Sequence, residues 1–148
     1  MPPLKVFVVE DSATIRQNLV AALEEWAPVQ VVGHADSAGD AIDHLLQSPP
    51  PCDLAILDVM LRQGSGIDVL NALRKAASPL RRVVLTNYAT PDMRRRCTLL
   101  GADAVFDKSN DIDALVDYCR ALRAAELPVA RPEAPALSRS TGSSARST

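Results

Sequence analysis

The chain alternates short apolar runs rich in β-branched residues with longer amphipathic segments. The first run, LKVFVV at residues 4–9, has the length and composition of a buried strand. The segment that follows, SATIRQNLVAALEEW, has the periodicity of an amphipathic helix. Its apolar side chains recur on one predicted face: Ile15, Leu19, Ala22 or Leu23, and Trp26. A strand therefore leads directly into a helix that can cover it.

The same alternation repeats four more times along the chain. The further strand-like runs are VQVVGH, DLAIL, RRVVL and AVF. The further helical segments are SAGDAIDHLLQ, GIDVLNALRKAA, TPDMRRRCTLLGA and NDIDALVDYCRALRAA. Strict alternation of strands and helices is typical of a parallel sheet with helices on both faces. We therefore predict an α/β fold with a doubly wound five-stranded parallel sheet in the strand order 2-1-3-4-5.

The composition changes sharply from about Glu126 onward. The segment ELPVARPEAPALSRSTGSSARST replaces the periodic aliphatic residues with proline, serine, threonine and alanine. Such a segment cannot bury enough apolar surface to offset the entropy lost on ordering. We predict a folded domain over residues 1–125 and a disordered tail over residues 126–148.

Bulk composition excludes several classes of partner. The net charge of −2 and the scarcity of aromatic residues argue against nucleic acid. No apolar run is long enough to span a membrane. The three cysteines lack the spacing of a metal site or a paired disulfide framework, which favours a reducing cytoplasm.

The arginine-rich stretch MRRRC at residues 93–97 has two interpretations that the sequence leaves open. The first is a solvated helix face, and the second is a contact surface for an acidic protein partner. Arg81 and Arg82, at the start of the fourth predicted strand, share the same two interpretations.

Reactive side chains stand at the carboxyl ends of the predicted strands. Glu10 and Asp11 follow the first strand, Asp58 the third, Thr86 the fourth and Lys108 the fifth. Because neighbouring strands lie about 4.8 Å apart and ligands bind at this edge of a doubly wound sheet, we expect these side chains to form one pocket. The simpler alternatives are loop capping by Asp58 at its strand end, helix capping by Glu10 and Asp11, an ordinary strand threonine and a solvated lysine.

Three carboxylates at this spacing repel one another, and one ammonium group cannot neutralise them. A hard divalent cation with oxygen ligands suits such a site, and Mg²⁺ is the expected metal. The cluster fits phosphoryl transfer to Asp58. Lys108 and the hydroxyl of Thr86 would contact the phosphoryl oxygens. We expect Asp58 to lie where its strand leaves the core, facing solvent and metal.

The motifs VVEDS, AILDVML, VVLTNYA and GADAVFDKS, in this order, resemble the receiver domain of bacterial response regulators in two-component signalling. The resemblance covers residues 4 to about 124 and implies a flavodoxin-like fold. It implies phosphorylation of Asp58 by a histidine kinase or a histidine phosphotransfer protein. It also implies a Mg²⁺ site formed by Glu10, Asp11, Asp58 and the backbone carbonyl of Met60. Thr86 and Lys108 would couple the phosphoryl group to a shift of the face formed by the fourth helix, fifth strand and fifth helix.

The resemblance further implies a bacterial cytoplasmic signalling protein rather than an enzyme, with only slow self-catalysed phosphorylation and dephosphorylation. No output segment is recognisable after the receiver portion, so we expect a single-domain regulator that signals by protein contact, with homodimerisation left open. One alternative is a phosphorylation-independent interaction module, and another is the receiver part of a longer regulator. A phosphatase-like enzyme with an aspartyl nucleophile would want a second acid where Met60 stands.

Several positions depart from the common receiver pattern. Arg62 stands where a proline is usual after the phosphoacceptor, so the loop after Asp58 is expected to be less rigid. Ser109 replaces the frequent proline after Lys108, so a cis X-Pro bond is absent there. Met60 and Tyr88 frame the predicted pocket with large side chains, and we hypothesise that they hinder water and slow dephosphorylation. Val105 occupies the place where an aromatic residue often rotates during switching.

Overall fold

The computed structural model describes residues 2–126, and the predicted tail lies outside them apart from Glu126. The described residues form five strands and five helices in strict alternation. The strands are β1 (Leu4–Val9), β2 (Val29–Ala35), β3 (Leu54–Asp58), β4 (Arg81–Thr86) and β5 (Ala104–Asp107). The helices are α1 (Ala13–Trp26), α2 (Ala38–Leu45), α3 (Gly66–Lys75), α4 (Pro91–Leu99) and α5 (Ile112–Glu126). Each predicted element is therefore present, with its bounds changed by at most a few residues.

The five strands form one parallel sheet in the order β2-β1-β3-β4-β5. This order confirms the predicted doubly wound α/β fold. From β1 the chain first adds β2 on one side and then β3, β4 and β5 on the other side. The direction in which strands are added therefore reverses between β1 and β3, which are direct neighbours in the sheet. In such sheets ligands bind at the carboxyl ends of the strands near this reversal.

The described residues divide into two units, with the boundary between Asp117 and Tyr118. The first unit contains the whole sheet, helices α1 to α4 and the first part of α5. The described part of the second unit is the remainder of that last helix. All the candidate site residues belong to the first unit.

Local sequence explains why four helices begin where they do. Each is preceded by a serine or threonine whose side-chain oxygen accepts a backbone N–H of the first turn: Ser12, Ser37, Ser65 and Thr90. Such caps satisfy amide groups that have no partner inside the helix. These caps lie just beyond strand ends or the loops that follow them, so they also fix the loops around the candidate site.

The core lies mainly between the sheet and its helices, but two side chains on the predicted apolar face of α1 are exposed. Leu19 and Leu23 are the buried residues of α1, as predicted. Ile15 is 42% exposed and Trp26 is 57% exposed. Ile15 lies at the edge of an open cavity of about 410 Å³, and Trp26 is the last residue of the helix. Periodicity identifies a face of a helix, but it does not show whether anything covers the ends of that face.

Among the described residues, no helix combines the length and apolar character that a membrane span requires. The three cysteines, Cys52, Cys97 and Cys119, are free thiols. Burial raises the pKa of Cys52 and Cys119 to about 12, so both remain protonated at neutral pH.

Candidate functional site

Three polar side chains that end neighbouring strands are buried at one edge of the sheet. Glu10 follows β1 and is 3% exposed, Asp58 ends β3 and is 5% exposed, and Thr86 ends β4 with no exposed surface. In the register of the sheet, Asp58 lies beside Leu85, one residue before Thr86. The expectation that Asp58 faces solvent is therefore wrong: the residue is buried, and its carboxylate is bonded to Lys108 and to the backbone N–H of Met60.

Carboxylate oxygens of Glu10, Asp11 and Asp58 lie within 4.8 Å of one another. Each of these carboxylates also accepts a backbone N–H: Glu10 from Ser12, Asp11 from Arg62 and Asp58 from Met60. Ser12, rather than either acid, is the N-cap of α1. The structure thus brings together two acids from the end of β1 and one from the end of β3.

Arg62 connects the loop after β3 to this acidic cluster. Its backbone N–H donates to Oδ2 of Asp11 at 2.7 Å, and its Nε lies 3.9 Å from the same oxygen. A proline at this position would have no N–H to donate. Arg62, which stands where a proline is usual, therefore supplies a hydrogen bond between the loop and Asp11.

The ammonium group of Lys108 lies between two of the acids. Its Nζ is 2.6 Å from Oε1 of Glu10 and 2.8 Å from Oδ2 of Asp58. The lysine side chain is 11% exposed, and its backbone N–H donates to the carbonyl of Thr86 at 2.9 Å. The alternative of a solvated surface lysine is thereby excluded.

The charges at this edge of the sheet perturb one another. Burial raises the pKa of Asp58 to about 6; the hydrogen bond and charge of Lys108 oppose the rise, and the nearby charge of Glu10 adds to it. Burial would lower the pKa of Lys108, but its bonds to Asp58 and Glu10 together outweigh burial and raise it. Asp58 is therefore mostly ionised at neutral pH, and Lys108 is fully charged.

The donor set fits a hard divalent cation such as Mg²⁺. Glu10, Asp11 and Asp58 carry three negative charges, and the ammonium of Lys108 offsets one of them. The side chain of Arg62 is 84% exposed, so water screens its charge at Asp11. An excess of clustered carboxylate oxygens is the environment that Mg²⁺ prefers in proteins.

The loop after β4 begins at the buried Thr86. Oγ1 of Thr86 accepts the backbone N–H of Tyr88 at 3.1 Å. The side chain of Tyr88 is 59% exposed, and Met60, in the loop after β3, is 60% exposed. The structure thus leaves two large side chains exposed on the loops that follow Asp58 and Thr86.

Sequence reasoning missed the contribution of Gly66, the first residue of α3. A β-carbon at this position would lie 2.3 Å from the backbone carbonyl oxygen of Asp58. The N–H of Gly66 donates to the carbonyl of Val59 at 3.1 Å, and Met60 pairs with Ser65 across the same loop. A glycine next to a helix cap, one loop after the central acid, is the sequence signal for this close approach.

Comparison with known proteins places this arrangement in a family. The sequence matches the response regulator receiver domain over residues 6–120. The chain therefore belongs to the response regulator receiver domain family. A flavodoxin-like sheet with acids at the carboxyl ends of β1 and β3 agrees with this assignment.

Among its relatives, the chain is 38% identical to the sensory transduction protein LytT of Bacillus cereus over 85 residues, which cover 57% of this chain and 34% of LytT. It is 34% identical to the DNA-binding transcriptional activator DevR/DosR of Mycobacterium tuberculosis over 99 residues, which cover 67% of this chain and 45% of that protein. The chain thus spans less than half the length of either relative.

The fold also matches a solved structure, the receiver domain of the Francisella response regulator 1452. The TM-score is 0.73 at 22% sequence identity, and the match covers 82% of this chain and 98% of the other. At this identity the comparison supports the shared fold.

Proposed function

We propose that the chain accepts a phosphoryl group on Asp58 in a Mg²⁺-dependent reaction and signals through the resulting change in conformation. The observation that supports this proposal is the convergence of three carboxylates, one lysine and one threonine at a single sheet edge. Family membership supports a receiver function, and the buried aspartate at the end of β3 is the candidate phosphoacceptor.

In the proposed reaction an oxygen of ionised Asp58 attacks the phosphorus of a phosphohistidine or an acyl phosphate. A new O–P bond forms, the P–N or P–O bond of the donor breaks, and the leaving group takes the electron pair. Lys108 lies on Oδ2 of Asp58 and supplies positive charge beside the phosphoryl oxygens. Thr86 is the last residue of the neighbouring strand β4. Its hydroxyl would contact another phosphoryl oxygen after the loop that follows β4 rearranges.

The metal would be held by Glu10, Asp11, Asp58 and the backbone carbonyl of Met60. When bound, Mg²⁺ supplies positive charge that stabilises the phosphoryl oxygens during transfer. The residues of the chain position the nucleophile and exclude bulk water, because Glu10 and Asp58 are buried.

The donor is proposed to be a histidine kinase or a histidine phosphotransfer protein. The output is proposed to be a protein contact at the surface formed by α4, β5 and the first part of α5, with homodimerisation there left open. DevR/DosR is named as a DNA-binding activator, and this chain covers less than half of it. We propose that the receiver portion itself contacts protein rather than nucleic acid, acts in the bacterial cytoplasm, and functions either alone or within a longer regulator.

Incubation with acetyl phosphate and Mg²⁺, followed by intact-mass measurement, tests the proposal. We expect one added phosphoryl group in the wild-type chain and none in Asp58→Asn. Asp43→Asn, which changes an exposed acid on α2, is the matched control and should gain phosphate normally. Absence of phosphate on the wild-type chain would support the phosphorylation-independent module instead. Phosphate that persists in Asp58→Asn would show that Asp58 is not the phosphoacceptor.

A further inference from the structure

Arg94, in the first half of α4, joins three segments of the chain through one guanidinium group. Its Nε donates to the carbonyl of Ala89 at 3.1 Å, and its Nη1 donates to the carbonyl of Val105 at 2.7 Å. Its Nη2 lies 3.4 Å from Oδ2 of Asp111 and forms an ion pair with it. Arg94 therefore contacts the loop after β4, the strand β5 and the turn before α5.

The first of these contacts holds the loop that begins at Thr86. The Thr86 hydroxyl oxygen accepts the N–H of Tyr88, one residue before Ala89. Turning this oxygen towards a phosphoryl group on Asp58 removes that bond, so the loop has to rearrange. The bond from Arg94 to Ala89 fixes the same loop in its present place and opposes the rearrangement.

The third contact holds the turn that carries Lys108. Oδ2 of Asp111 accepts the backbone N–H of Asp107 at 2.9 Å, and Arg94 pairs with the same oxygen. Lys108 follows Asp107 directly and reaches the two buried carboxylates from this turn. Arg94 is thus bonded to both segments whose residues would contact a phosphoryl group.

We propose that Arg94 is a positioning residue that stabilises the unphosphorylated arrangement of the Thr86 loop and the Lys108 turn, and that phosphorylation weakens its contacts. The inference rests on the proposed function. Val105 stands where an aromatic side chain often couples the site to its surface, and this valine offers its backbone carbonyl to Arg94. This chain has no aromatic side chain at position 105. Arg94 on α4 instead connects the loop after β4 with β5 and the turn before α5.

A group that stabilises one of two conformations weakens any ligand that prefers the other. Removal of Arg94 should therefore tighten the binding of beryllofluoride, which mimics a phosphoryl group on an aspartate. Loss of one net hydrogen bond from the unphosphorylated form corresponds to a gain in affinity of about fivefold. Simple damage to the fold would weaken the binding of this ligand instead.

The test measures beryllofluoride affinity by fluorine NMR in saturating Mg²⁺ for the full chain and three variants. We expect a dissociation constant about fivefold lower in Arg94→Met, a smaller decrease in Arg94→Lys, and the wild-type value in Arg95→Met. Arg95 is the matched control because it is exposed and pairs with Asp92 on its own helix. Unchanged or weaker binding in a folded Arg94→Met variant would overturn the inference; if that variant does not fold, Arg94→Lys decides in the same way.

A second measurement combines Arg94→Met with Thr86→Ala in one chain. In a Thr86→Ala background the hydroxyl that moves the loop is absent, so Arg94→Met should alter the affinity less than it does in the wild-type chain, through its contact with the Lys108 turn alone. An equal effect in both backgrounds would overturn the inference. Failure of the wild-type chain to gain phosphate on Asp58 overturns the proposed function and this inference together, whereas normal phosphorylation with no Arg94 effect overturns this inference alone.

Discussion

Gly66 packs directly against the backbone carbonyl of Asp58, and a β-carbon at position 66 would lie 2.3 Å from that oxygen. Any side chain here must displace either the start of α3 or the end of β3. The position of the candidate phosphoacceptor therefore depends on a residue with no side chain, one loop further along the sequence.

Gly66→Ala should lower the free energy of unfolding by about 1–3 kcal/mol, because backbone atoms have to move to admit the methyl group. Gly39→Ala is the matched control, since a β-carbon on Gly39 in α2 meets nothing within 4 Å. That change should be neutral or stabilise the chain by up to about 0.5 kcal/mol. Urea denaturation measures both effects, and equal stabilities of the two variants would contradict the close contact.

The raised pKa of Asp58 predicts a dependence of stability on pH in metal-free buffer. Its pKa rises from 3.8 in the unfolded chain to about 6 in the fold, so the folded form binds the proton more tightly. The stabilising contribution is fully present below pH 4 and is lost as the pH rises through about 6. Two pKa units correspond to roughly 3 kcal/mol.

Asp58→Asn removes this titration and should become more stable than the wild-type chain as the pH rises from about 4 to 7. The gain at neutral pH should approach roughly 2–3 kcal/mol. Urea denaturation of both proteins with EDTA at several pH values measures the difference. A constant offset across that range would show that the pKa of Asp58 is not raised.

Lys108→Met leaves Glu10 and Asp58 buried without their cation. We expect a loss of about 3–5 kcal/mol in the free energy of unfolding at pH 7.5 without metal. The pKa of Asp58 should also rise beyond about 6, because Lys108 lowers it in the wild-type chain. Lys75→Met, on the exposed end of α3, is the control and should change stability little.

Added Mg²⁺ provides the second arm of that experiment. It should restore more stability to Lys108→Met than to the wild-type chain, because an external cation then offsets carboxylates that have lost their internal one. Equal effects of Mg²⁺ on both proteins would indicate that the metal binds away from these carboxylates.

Met60 and Tyr88 are exposed large side chains on the loops next to Asp58 and Thr86. If they hinder water, the doubly substituted Met60→Asn, Tyr88→Glu chain should lose its phosphoryl group several-fold faster than the wild-type chain. Decay of the phosphorylated mass after removal of acetyl phosphate measures this rate. Leu99→Gln, at an exposed position on α4, is the control, and an unchanged or slower decay in the double variant would refute the hypothesis.

The fold and the grouping of the site residues follow from simple regularities in the sequence. Strict strand–helix alternation leads to the parallel sheet, and the parallel sheet brings Glu10, Asp58 and Thr86 to one edge. The reach of Lys108 follows from strand spacing and the length of its side chain. These features depend on periodicity and on the geometry of regular elements, which the sequence displays directly.

Loop conformation and the partners of long side chains could not be predicted in this way. Asp58 is buried although it is the last residue of its strand, and spacing along a strand carries no information about how far that last residue is covered. The three arginines of α4 look alike in sequence, yet Arg94 bonds to three other segments and Arg95 pairs within its helix. Neither interpretation of the arginine-rich stretch included this structural role.

Lys108, between the buried acids Glu10 and Asp58, also makes folding of the chain less dependent on a bound metal. Because Lys108 offsets part of the buried negative charge, we expect the chain to fold without magnesium, and under the proposed function a cation added later would bind carboxylates that are already in place. Scarcity of magnesium would then stop the proposed phosphorylation of Asp58 while the protein stays folded.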